Sequence, residues 1–318
     1  MPPFAVDIAD IQQARQRLAG RAHRTPVMTC TTLDRMAGRA LFFKCEQFQK
    51  AGAFKFRGAC NAVLRLPPET AARGVVTHSS GNHAQALALA AALRGIPAHL
   101  VMPRNASPVK RRAVEKYGGR VIECEPTLAA RETTAAAVLA ETGATLVPPY
   151  NHPDVIAGQG TIALELLEQV PQLDAVVVPI GGGGLMAGVT LAVKAMAPHV
   201  RVFAAEPAGA DDAARSKAAG VLLPQTDPRT IADGLRASLG DLTWPVLRDL
   251  VECVLTVTEE EIIAAMRLTW ERGKLLIEPS AAVAVAAVLG DPLRALEGLQ
   301  RIGVVLSGGN VNLDDLPW

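Results

Sequence analysis

The segment Pro179, Ile180, Gly181, Gly182, Gly183, Gly184, Leu185 stands directly after the apolar run 175–178 and directly before an apolar helical pattern over 185–195. Four consecutive glycines let backbone N–H groups turn inward around an anion, and the positive end of the following helix adds to the attraction. Phosphate binding is the chemistry this pattern offers, with a purely structural turn as the plainer alternative. No Gly-Lys-Ser/Thr follows, so this is not a nucleotide P-loop, and no GxGxxG with a ribose-binding acid is present. Three further polar segments end apolar runs or start helices. They are Gln49, Lys50, Ala51, Gly52, Ala53, Phe54, Lys55, Phe56, Arg57, Gly58; then Ser79, Ser80, Gly81, Asn82, His83; then Ser307, Gly308, Gly309, Asn310. In an open parallel sheet such segments converge at the carboxyl ends of the strands. A lysine, a phosphate cradle and several neutral donors in one crevice suit a cofactor that carries both an aldehyde and a phosphate. Neither an HExxH zinc motif nor a GxSxG nucleophile elbow occurs.

Such a crevice needs strands and helices in alternation, and the chain supplies them. Short apolar strand patterns fall at 41–45, 74–77, 98–102, 120–124, 145–147, 175–178, 201–204, 251–257 and 302–306. Helical patterns fall at 58–66, after Asn82, at 108–117, 128–142 and 185–195, and from a capping box at Thr258 and Glu261 to about 274. The expected fold is α/β, with mostly parallel sheets covered by helices on both faces. Four compact strands between 74 and 149 predict a small domain (74–149) inserted in a larger one (1–73 and 150–318). The stretch 224–233 reads as an ordered surface loop near a site.

Composition bounds the partners. With 49% hydrophobic and 20% charged residues in 318, the chain is neither disordered nor a small disulfide scaffold. Thirty-two basic against 31 acidic residues give net charge +1, and the strongest basic cluster is only Lys110, Arg111 and Arg112, so no nucleic-acid partner is expected. The five cysteines, Cys30, Cys45, Cys60, Cys124 and Cys253, read as free thiols in a reducing compartment. The N-terminus resembles no signal peptide, and the apolar stretch 84–93 is too short to span a bilayer, so a cytoplasmic protein with no membrane partner is expected.

The segments FFKCEQFQKAGAFKFRGA, VVTHSSGNHAQALA, VIAGQGTIALE, VVVPIGGGGLMAG, AAEPAGADD, TIADGL, WERGKLLIEPSA and VVLSGGN appear in one order over nearly the whole chain. Together they resemble the fold-type II pyridoxal-phosphate enzymes (tryptophan synthase beta-like), in the serine/threonine dehydratase family. Within it the likeness is greatest to the serine racemases, with 3-hydroxyaspartate dehydratase close by. The resemblance implies pyridoxal 5'-phosphate held covalently by Lys55, with its phosphate on Gly181, Gly182, Gly183 and Gly184. Phe54 would pack beside the ring, Asn82 would donate to its phenolic oxygen, the Gly234 carbonyl would lie near its edge, and Ser307 would meet the pyridine nitrogen. Lys55 and Ser80 would be the catalytic pair, on opposite faces of the ring. Ser79, Ser80, Asn82 and His83 would hold the substrate carboxylate, and Arg131 would close over the substrate or take a second carboxylate. Glu206, Ala210 and Asp212 match a divalent cation site for Mg²⁺, or Ca²⁺ or Mn²⁺. Gln85, Lys110, Tyr117 and Asn310 match positions lining an ATP effector site.

The implied activity is an ammonia-lyase for a small β-hydroxy amino acid, giving an oxo acid, with serine racemisation beside it. Racemisation as the main activity, a 3-hydroxyaspartate-specific dehydratase, β-substitution with a second nucleophile and a cofactor-binding protein without catalysis stand as alternatives. Two departures are visible: Ala237 replaces a serine of the racemase pattern, and Ala51 replaces a threonine at the effector positions. A homodimer is expected from the same resemblance.

Overall fold

The computed structural model describes residues 4–79, 81–106 and 108–318. Its strands are β1 (Val27–Met28), β2 (Ala40–Cys45), β3 (Val75–Thr77), β4 (Ala98–Pro103), β5 (Arg120–Cys124), β6 (Thr145–Leu146), β7 (Ala175–Pro179), β8 (Arg201–Pro207), β9 (Val254–Val257) and β10 (Arg301–Leu306). They form a six-stranded sheet in the order β1-β2-β10-β7-β8-β9 and a four-stranded sheet in the order β5-β4-β3-β6. Every pairing is parallel except β1 with β2. The fold is thus the α/β class expected, and β7, buried along its whole length, is the central-strand type that a continuous apolar run predicts.

Helices cover both faces of the larger sheet. Ile8–Leu18, Pro153–Gln169 and Gly184–Met196 pack on one face, and Pro279–Leu289 lies in the core of the other. The last is buried from Ser280 to Val288. An apolar helix buried all round shows no amphipathic period, which is why its sequence pattern does not announce it. Helices Lys55–Arg65, Pro153–Gln169 and Gly184–Met196 approach one another through glycines. A Cβ at Gly158 would lie 2.6 Å from Gly58 Cα, and one at Gly188 would lie 2.3 Å from Ile156 O.

Three boundaries differ from expectation. The helix expected at 58–66 spans Lys55–Arg65, so Lys55 is its first residue. The strand expected at 251–257 starts at Val254. The helix beginning at Thr258 keeps its capping box, with Glu261 N–H donating to Thr258 Oγ1 at 3.2 Å, but its α-helical part ends at Leu268. A π-turn over Thr269–Gly273 and a left-handed Lys274 (φ 56°) follow. Residues 224–232 form no helix or strand. Among the described residues no helix is long and apolar enough to cross a membrane.

Candidate active site

The lysine segment reaches the crevice because two stretches of backbone are fastened together. Ala53 bridges Gly308 as an isolated antiparallel pair, Phe54 N–H donates to Ser307 O at 3.0 Å, and Gly309 N–H donates to Gly52 O at 3.0 Å. Lys55, opening its helix, and Ser307, just past β10, are neighbours for that reason. Lys55 Nζ donates to Pro149 O at 2.7 Å and lies 4.9 Å from the centroid of the Phe54 ring. Burial pushes its amine down to about 8, with Glu278 opposing. A lysine so lowered holds an uncharged, nucleophilic fraction near neutral pH.

The glycine run follows β7 as a loop. Gly183 (φ 86°) is left-handed and caps the helix Gly184–Met196. None of the four glycine N–H groups donates to a described residue, whereas Gly182 O accepts from Thr243 Oγ1 at 2.9 Å and Gly240 N–H at 3.3 Å. Carbonyls tied back and N–H groups left free at a helix start make an anion cradle. Gly234 closes one side. Its N–H donates to Ser280 Oγ at 3.0 Å, and its carbonyl lies 3.4 Å from where a Gly181 Cβ would sit. Ser307 is buried, and its hydroxyl bonds no described residue.

Asn82 stands at the crevice but its amide is engaged. Nδ2 donates to Glu278 Oε1 at 2.8 Å, and Oδ1 accepts from Asn310 Nδ2 at 2.9 Å. Glu278 also accepts from Asn310 N–H at 3.1 Å. Burial, then Asp233, pushes the Glu278 carboxyl up to about 7. Asn82 Nδ2 also donates to Glu278 Oε2 at 3.1 Å, so both carboxylate oxygens share this amide.

On the side of the smaller sheet, Ser79 Oγ accepts from Gly81 N–H at 3.4 Å just before the helix Asn82–Arg94. Ser80 lies outside the described residues. His83 turns its ring away from a carboxylate role: Nε2 is 2.8 Å from Val147 O, and burial, with Lys55, drives the ring down to about 3. A neutral, buried imidazole donating to a carbonyl is structural, so this residue can offer a carboxylate only its main-chain N–H. Arg131, half-buried on the helix Leu128–Thr142, stands close enough to His78 for its charge to lower that ring, after burial.

Of the expected cation ligands, Glu206 and Asp212 lie close enough for their charges to interact. Glu206, Ala210 and Asp212 are all fully buried. Glu206 accepts from Ala213 and Ala214 N–H at 3.0 and 2.9 Å, Asp212 Oδ2 accepts from Leu239 N–H at 2.8 Å, and Asp212 Oδ1 is buried with no partner among the described residues. Burial raises Glu206 to about 8, with Asp212 adding to the shift. The effector positions fall on or beside the helices Asn82–Arg94 and Pro108–Lys116 and just past β10. Lys110 pairs with Asp233, Asn310 Nδ2 bonds Ala51 O and Asn82, Gln85 is buried, and Tyr117 packs partly buried beside the Asn82 helix.

Four residues without a role in the sequence reading shape this site. Tyr150 lies against Gly182 and Gly184. Thr243 and Glu278 hold the loop and Asn82. Arg57, wholly buried, joins Glu46 at 2.8 Å and Glu165 at 2.7 Å just behind Lys55, while Lys44 joins Glu165 at 2.7 Å. Tyr150 is one of only two tyrosines, but its place beside the glycine run, some thirty residues on, is not written in local sequence.

Comparison with known proteins gives consistent results. The family model described as "Pyridoxal-phosphate dependent enzyme" matches residues 19–308. The chain is 57% identical to serine racemase of Arabidopsis thaliana over 316 residues, covering 98% of this chain and 96% of that protein. It is 52% identical to beta-hydroxyaspartate dehydratase of Paracoccus denitrificans over 309 residues, covering 97% and 98%. The solved structure of maize serine racemase superposes with a TM-score of 0.97 at 53% identity, covering 98% of this chain and 95% of that one.

Proposed function

The chain belongs to the pyridoxal-phosphate dependent enzymes, and from that premise we propose that it is a lyase for small β-hydroxy amino acids. The substrate loses its β-hydroxyl as water, and the enamine left behind hydrolyses to an oxo acid and ammonia. Serine racemisation accompanies this on the same residues. The observation that carries the proposal is the half-buried Lys55, its amine lowered to about 8, in one crevice with four glycine N–H groups that donate to no described residue and the Ser307 hydroxyl.

These residues fit the cofactor. The free N–H groups of Gly181, Gly182, Gly183 and Gly184 suit its phosphate, Lys55 its aldehyde, Ser307 its ring nitrogen, and Phe54, Asn82 and Gly234 its ring and phenolic oxygen. When bound, the cofactor withdraws electrons from the substrate's α-carbon. Lys55, uncharged, takes the Cα proton on one face. Ser80 serves the other face, returning a proton for racemisation. Ser79 and the main-chain N–H groups opening the Asn82 helix, that of His83 included, hold the α-carboxylate. Arg131 takes a second carboxylate when the substrate is 3-hydroxyaspartate. The orphaned Asp212 Oδ1 suits a divalent cation, Mg²⁺ foremost, held with Glu206 and the Ala210 carbonyl as a brace away from the chemistry. A large unit (1–73 and 150–318), an inserted unit (74–149), a cytoplasmic homodimer and an ATP effector at Gln85, Lys110, Tyr117 and Asn310 complete the reading.

The test is a panel of both enantiomers of serine and threonine and the 3-hydroxyaspartate stereoisomers, with oxo-acid release and chiral analysis read together. Oxo acid from at least one is expected, and none from any would overturn the proposal. Ser80→Ala should suppress racemisation by at least tenfold; racemisation at the full rate would remove Ser80 from proton transfer.

A further inference from the structure

Glycine at Gly183 is required by its left-handed backbone (φ 86°), but Gly182 is not left-handed. Backbone conformation therefore gives no reason for glycine there. Space does: a Cβ at Gly182 would lie 2.4 Å from Tyr150 Cγ and Cδ2 and 2.5 Å from Cδ1, well inside contact distance, and at the base of the ring rather than its far end. A Cβ at Gly184 would lie 2.9 Å from Tyr150 Cα and Cβ. One residue back along the chain, Pro149 O accepts the Lys55 amine at 2.7 Å. One residue forward, Asn151 Oδ1 accepts from Leu242 N–H at 3.1 Å, in the same 240–243 loop that holds Gly182 O. A single short segment thus touches the phosphate cradle, the lysine and the loop behind the cradle.

We infer that Tyr150 is a positioning residue for the cofactor. Its ring is the side wall that fixes the Gly182 peptide, and its backbone couples that wall to the carbonyl holding Lys55. The wall sets the distance between the two points at which the cofactor is gripped, its phosphate and its aldehyde. The contact is made by the ring, with no bond from the hydroxyl to a described residue, so phenylalanine should serve and alanine should not. The inference rests on the cofactor reading above, but not on the identity of the substrate.

The experiment strips the cofactor from purified protein and measures the dissociation constant for added pyridoxal 5'-phosphate, with its visible absorption spectrum. Tyr150→Ala should weaken binding at least tenfold and shift the spectrum, while Tyr150→Phe stays within threefold with the native spectrum. Gly182→Ala should weaken binding at least tenfold in the native chain but less than threefold when added to Tyr150→Ala, because the ring that excludes the methyl is gone. Equal losses from Gly182→Ala in both backgrounds, or a native dissociation constant in Tyr150→Ala, would overturn the inference. Should Tyr150→Ala lose its folded circular dichroism, Tyr150→Leu takes its place in the same cycle. Native turnover of none of the panel substrates sinks the lyase proposal and leaves this measurement intact.

Discussion

At the scale of single residues, the half-buried Lys55 and the buried Arg57 sit two positions apart and behave oppositely. Lys55 is lowered to about 8 because burial removes its hydration and Glu278 restores only part of the loss. Arg57 stays charged because Glu46 and Glu165 outweigh the same burial. Between the folded value near 8 and the ordinary 10.5 the unfolded chain holds the extra proton, so stability rises with pH across that window. Cofactor-free protein should therefore gain unfolding free energy from pH 8 to 10.5, and Lys55→Met should flatten that gain; an unchanged slope in denaturant titrations would count against the assignment. Arg57→Ala leaves Glu46 buried and unpaired, which should cost about 3–5 kcal/mol in urea unfolding. Arg57→Lys should recover only part, since lysine cannot span both carboxylates with a planar fork.

At the scale of elements, the active crevice depends on how closely three helices approach. The Lys55 helix, the helix Pro153–Gln169 and the helix Gly184–Met196 carry the lysine, the spacer and the phosphate loop in turn. Gly188 has Ile156 O and Gly160 N within 2.6 Å of a would-be Cβ, so any side chain must push backbone against backbone. Gly188→Ala should destabilise by roughly 1–3 kcal/mol, as overpacking does, and weaken cofactor binding with it. Thermal unfolding with and without cofactor checks both, and a variant as stable as the native chain would show that the helices can part freely.

Across the whole molecule, exposed and buried polar contacts contribute unequally. Lys110 with Asp233 is a partly exposed pair and contributes little. The buried pair Glu206 and Asp212 braces the end of β8 against Leu239, and its unmet oxygen gives a cation something to complete. Dialysis against a chelator should lower the melting temperature, and added Mg²⁺ should restore it; no shift in either direction would leave these carboxylates as a plain buried pair.

The glycine run after an apolar strand, the capping box at Thr258 and the parallel α/β alternation were legible in sequence because each is local: a backbone freedom, a three-residue bond, a period of side chains. The same local pattern marked the segments that hold Lys55 and Ser307, and the family resemblance singled out those two residues. What faces what was decided only in three dimensions. His83 turned to Val147, Asn82 was shared between Glu278 and Asn310, and Tyr150 came to lie on Gly182. Helix Pro279–Leu289 escaped the pattern because burial on every side erases periodicity. Spacing along the chain sets which groups are present, but close packing between distant segments sets which of their atoms remain free for chemistry.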